Sequence, residues 1–150
     1  MNRWKSLLIA VAIAWSFASQ PQQCDAGHRQ YYSSWTYNPT TTYYYTTYYY
    51  QPTVNYNGYN YHYGIYYPSQ PRYVYYYNPH KNYYWGRYDL EGKDGKVYSI
   101  LKEEDRKKNL DDISPDAFPK PDEMPAIPDS TDGTKIEPVK SVPQKDMPPK

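Results

Sequence analysis

Asp94-Gly95, set between Lys93 and Lys96 with β-prone residues on either side, is the feature that most restricts how this chain can fold. A two-residue Asp-Gly loop is the strongest short hairpin signal, because both positions tolerate positive φ. Such a loop sets a register that puts Tyr88 opposite Leu101, Leu90 opposite Ser99 and Gly92 opposite Val97 on one face, with Glu91 opposite Tyr98 on the other. Upstream, Asn78-Pro79-His80-Lys81 suits a type I turn, with Pro fixing φ and Asn bonding its own backbone. Together the turns predict a three-stranded antiparallel meander over about 72–77, 82–91 and 96–101. Tyr84, Tyr88 and Leu90 would share one face; Tyr83, Trp85 and Arg87 would share the other with Tyr98. Three strands with one covered face is about the minimum for independent stability, so another segment must shield it.

Two segments are available. Lys102 to Leu110 has acids toward its start and bases toward its end, with Glu103/Lys107 and Glu104/Lys108 spaced as helical pairs, and predicts a short helix. From Pro115 to Lys150 there are nine Pro and no Tyr or Trp, which favours extended polyproline II chain. Pro-rich segments bind grooves lined by aromatic rings, so the expected cover is Phe118 to Pro128, with Phe118, Pro119, Pro121, Pro125 and Pro128 making the intramolecular contact.

The rest of the chain is poor in aliphatic residues. The 39% counted as hydrophobic is largely 23 Tyr, there are 15 Pro, and the mean hydropathy is −1.07. Buried phenols need hydrogen-bond partners, so a conventional interior is not expected. Tyr31 to Tyr67 carries 15 Tyr among Thr, Asn, Ser, Gln and Pro, a pattern expected to be disordered alone and adhesive in company. The expected fold class is therefore mostly irregular chain with a small all-β unit, one short helix and a Pro-rich extended segment. Its organisation would be a signal peptide at 1–18 with an alternative cleavage after 26, a Tyr-rich segment at 19–71, the meander module at 72–128 and a disordered tail at 129–150. Arg3 and Lys5 ahead of an apolar run of about twelve residues carry the signal-peptide reading; a spanning helix needs about twenty. Cys24 is the only cysteine, which leaves no internal disulfide.

Tyr76-Tyr77-Asn78-Pro79, Tyr84-Trp85-Gly86-Arg87-Tyr88-Asp89, Tyr98-Ser99, Asp105-Arg106, Ala117-Phe118-Pro119, Met124-Pro125 and Ile127-Pro128 are similar to a recurring module in small tyrosine-rich secreted bacterial proteins of unassigned function. The resemblance covers roughly 72–133. It implies that meander, helix and first Pro-rich segment form one unit, and it implies no activity, cofactor or functional residue.

Nothing in the sequence points to catalysis. His28, His62 and His80 are far apart and no His/Asp/Glu cluster stands at ligand spacing, so neither a metal nor another cofactor is expected. Between Gly27 and Tyr88 the only charges are Arg29, Arg72, Lys81 and Arg87, a thin footprint for nucleic acid. From Asp89 onward there are 15 acids against 11 bases, so the two halves attract each other. The expected function is a secreted, non-enzymatic structural or adhesive component of the cell envelope or extracellular matrix. It would associate with itself or with envelope polymers and would not stay in the membrane after signal cleavage. The alternative is a small secreted binding module whose face of Tyr83, Trp85, Arg87 and Tyr98 stacks on a glycan or an extended peptide.

Overall fold

A computed structural model describes residues 28–143. The expected signal segment, its alternative cleavage after 26 and Cys24 lie outside the described residues, as does the end of the tail from 144. What is described corrects the expected fold class: it is an all-β antiparallel sheet of seven strands, curled into a half-barrel, not irregular chain around three strands. The strands are β1 (Gln30–Tyr32), β2 (Thr36–Asn38), β3 (Tyr43–Tyr50), β4 (Asn60–Tyr66), β5 (Tyr73–Asn78), β6 (Tyr83–Lys93) and β7 (Lys96–Ile100). They lie in the order β1-β3-β4-β5-β6-β7, and β2 also pairs with β3. The segment expected to be disordered thus supplies β1 to β4.

Local chemistry explains why it folds. β3 alternates without a break, its even-numbered side chains buried and its odd-numbered ones half-buried, the period of two that a strand requires. Its entry turn repeats a later one. Asn38 Oδ1 accepts the Thr40 and Thr41 amides, and Asn78 Oδ1 accepts those of His80 and Lys81. Each turn closes on a left-handed residue, Thr42 or Asn82. The Asp94-Gly95 hairpin forms as expected, with both residues at positive φ.

The register of that hairpin holds only at its tip. Lys93 pairs with Lys96, but Tyr88 then pairs with Tyr98 and Arg87 with Ser99, so Tyr88 does not meet Leu101. Asp89–Gly92 bulge against Val97 alone. Asp89 anchors the bulge: Arg72 donates to both of its carboxylate oxygens, and it accepts the Glu91 amide. A second bulge falls at Trp85, because Tyr77 pairs with Tyr84 while Tyr76 pairs with Gly86. An extra residue reverses the alternation.

The predicted helix at 102–110 is also corrected. Single 3-10 turns stand at Glu103–Asp105, Leu110–Asp112 and Pro115–Ala117, joined by extended chain. A nine-residue helix nucleates poorly, and here the Lys107 carbonyl accepts the Tyr84 amide instead. Ile113 and Phe118 are buried with Ile65, Tyr75, Tyr84 and Leu101 on one face of the sheet.

The chain then crosses the β7 edge. Asp122 exchanges backbone hydrogen bonds with Tyr98 in both directions, which closes an edge otherwise open to pairing. From Met124 it lies across the opposite face, here called the strap face, and residues 124–142 are the strap. A small hairpin in the strap bonds Ile127 to Thr134 and Ile136 to Pro125, and Ile127, Ile136 and Val139 are buried with Tyr48, Tyr76 and Tyr98. The fold-back expected of Phe118 to Pro128 is therefore divided between two faces. Its buried contacts are Phe118 and Ile127, while Pro119 is exposed and Pro121, Pro125 and Pro128 are half-buried. Residues 129–143, expected to be disordered tail, are part of the packed structure.

Phenols under the strap are satisfied by specific partners, which lets them form a core. The Tyr48 hydroxyl donates to Gln30 Oε1 at 2.7 Å, Tyr32 and Tyr76 hydroxyls meet at 2.6 Å, and Tyr32 donates to the Glu137 carbonyl. Gly86 makes room for Tyr98, a buried phenol without a partner among the described residues, since a Cβ there would lie 2.5 Å from the Tyr98 hydroxyl and 2.6 Å from its ring. Gly86→Ala should consequently cost about 1–3 kcal/mol by overpacking. A urea midpoint equal to that of the unsubstituted chain would refute the tight approach of ring to strand.

Candidate functional site

The expected aromatic face does not assemble. The bulge at Trp85 puts Tyr83 and Trp85 on the strap face, where Trp85 and Tyr98 are buried together with Tyr76. Arg87 is on the other face. Its guanidinium sits 4.0 Å from the Tyr73 ring centroid and 4.1 Å from that of Phe118, a double cation–π contact that fastens the 110–118 segment to the sheet.

A different aromatic array is open. On the face away from the strap, the 101–118 segment covers the Tyr75/Tyr84 end and leaves the β1/β3/β4 end bare. Tyr31 stacks on Tyr49 at 4.9 Å, Tyr49 is 6.2 Å from Tyr61, Tyr61 is 5.8 Å from Tyr63, and Tyr63 is 5.9 Å from Tyr45. The result is a ladder of five neighbouring rings, each exposed or half-exposed. Register explains it, since Tyr31 pairs with Tyr49 and Tyr49 with Tyr61 across neighbouring strands.

The ladder is uncharged. No Asp, Glu, Lys or Arg occurs from Gln30 to Pro71. Partial burial and the neighbouring phenols hold the Tyr31 and Tyr63 hydroxyls above the usual tyrosine range, so they stay neutral at neutral pH. Among the described residues, none of the five hydroxyls has a hydrogen-bond partner in the chain. Offset and edge-on rings with free hydroxyls can stack on a ligand and bond to it at once.

Sequence reasoning missed these five residues by treating 31–67 as low complexity. The available signal was the second Asn-Pro, at 38–39, which announces a hairpin into the alternating run 43–50.

The three histidines remain apart in their roles. His80 is edge-on to Tyr61 at 4.9 Å, whereas His62 is buried and its Nε2 lies 3.3 Å from the Tyr50 hydroxyl. Among the described residues, no three His, Cys, Asp or Glu side chains converge as a metal site requires, and no helix is long and apolar enough to cross a membrane. Comparison with protein-family models, with curated proteins and with solved structures finds no match.

Proposed function

We propose that this chain is a non-enzymatic adhesive protein of the cell envelope or extracellular matrix that holds a neutral, polyhydroxylated polymer of the glycan class against the tyrosine ladder. One observation carries this reading: five adjacent rings on an uncharged stretch, with hydroxyls that no described residue engages. A sugar ring offers an apolar C–H face for stacking and hydroxyls for bonding, and its neutrality matches a surface without charge. Export is carried by Met1 to Ala18, through their charged start and short apolar run.

Co-sedimentation of the mature chain with microcrystalline cellulose and with chitin tests the reading. Each ring contributes about 0.5–1.5 kcal/mol, so Tyr49→Ala combined with Tyr61→Ala should weaken retention by about fivefold to a hundredfold, with little dependence on salt. Retention that ignores the double substitution would defeat the proposal. So would a chain that sediments only with itself.

A further inference from the structure

A crevice of about 250 Å³ lies between the strap face and strap residues 125–129. His62 and Trp85 both line it, and they are only 4% and 8% exposed. Each has a buried ring nitrogen with no partner, His62 Nδ1 and Trp85 Nε1. Their rings stand 5.5 Å apart. Buried polar atoms are normally paired, and two lining residues with orphaned ring nitrogens single this crevice out from the rest of the strap interface.

The chemistry of the walls specifies an occupant. An indole N–H can only donate. If the Tyr50 hydroxyl donates to His62 Nε2, the imidazole proton sits on Nδ1 and supplies a second donor. Lys81 and Arg106 also line the crevice, and neither has an ion pair among the described residues. Arg106 donates to the Leu101 carbonyl and to the Tyr83 hydroxyl, both neutral. Asp129 is the single acid among the lining residues, so positive charge prevails. Ile100 and Pro125 add apolar wall.

We propose that this crevice binds a small carboxylate with a flat apolar body. The carboxylate accepts from Trp85 Nε1–H and His62 Nδ1–H, Lys81 and Arg106 balance its charge, and its body packs between Ile100 and Pro125. The site is separate from the tyrosine ladder and stands whether or not the ladder holds a polymer. Because residues 125–129 form one wall, an occupant would also tie strap to sheet.

Benzoate is a suitable probe and benzyl alcohol its uncharged counterpart. The full-length chain, labelled with nitrogen-15, is titrated with each while the indole N–H resonance of Trp85, identified through Trp85→Phe, is followed. Benzoate should move that resonance saturably, and benzyl alcohol should bind about tenfold more weakly, as expected when a charge-assisted hydrogen bond is lost. Lys81→Gln alters an exposed turn residue and leaves the sheet intact; it should weaken benzoate severalfold, as should Arg106→Gln. A Trp85 resonance that does not respond, equal affinity for the two probes, or unchanged affinity in both variants would each overturn the assignment.

Discussion

A chain ended at Lys120 is expected to lose its cooperative fold. The deletion removes Ile127, Ile136 and Val139, all buried against the Tyr48/Tyr76/Tyr98 core, and burial of such side chains is worth about 1.5–3 kcal/mol each. Their sum, roughly 5–9 kcal/mol, is comparable to the whole stability of a typical domain. Two further losses act in the same direction. The β7 edge loses Asp122, and Gln30, Tyr32 and Trp35 lose their partners at Lys135, Glu137 and Ser141. Arg29, which ties the β1 end to Ser130, Asp132 and Thr134, is released as well. Near-ultraviolet circular dichroism and a thermal scan measure the outcome, because Trp35 and Trp85 both lie on the strap face. A truncated chain that still melts sharply within a few degrees of the intact one would show that the sheet stands without its strap.

Acid should weaken the fold well before its carboxylates protonate. Burial, with the neighbouring His80 and Lys81 adding to it, brings the His62 imidazole down from the ordinary 6.5 to about 3. Above pH 6.5 His62 is neutral in both folded and unfolded chain, and its environment costs nothing extra. Below 6.5 the unfolded chain takes up a proton that the folded chain refuses, so stability falls until pH 3 is reached. At about 1.4 kcal/mol per pH unit, lowering the pH from 6.5 to 4.5 should remove about 2–3 kcal/mol. Asp89, held below the usual carboxylate range by Arg72, and Asp132, held low by Arg29 and Ser130, also lose their stabilisation as pH falls, but only below about pH 4. Urea unfolding between pH 7 and 4.5 therefore isolates the histidine. His62→Gln should flatten the dependence in that window; an equally steep loss in the variant would mean that other groups are responsible.

The two turns of the meander were legible because their chemistry is local. Asp94-Gly95 reaches positive φ, and Asn78 bonds the amides two and three residues ahead, whatever the rest of the chain does. The faces of β6 were not legible. An extra residue at Trp85 separates Arg87 from Trp85; Gly86 is the one local hint, since a glycine within a strand marks a bulge or a close approach, but only the Tyr98 ring lying over it shows which residues change face. That bulge divides Tyr83, Trp85, Arg87 and Tyr98 between two faces, while the register of β1, β3 and β4 brings Tyr31, Tyr49 and Tyr61 side by side on the open one, next to Tyr63 and Tyr45. Ring counts along the chain do not reveal which rings a distant segment will cover.

Sequence by itself determined the antiparallel β chemistry of residues 73–101, the need for a cover drawn from the Pro-rich end, and a surface of phenols without charge. Tertiary structure alone decided how β1 to β4 join the meander in one sheet, that the cover splits over both faces at Asp122, and that one stretch of tyrosines becomes core while its alternate neighbours stay open. The physical reason is that a phenol accepts burial or exposure almost equally. The Tyr48 hydroxyl enters the interior on Gln30, and the Tyr32 hydroxyl on Tyr76 and the Glu137 carbonyl, partners that lie up to 105 residues away along the chain.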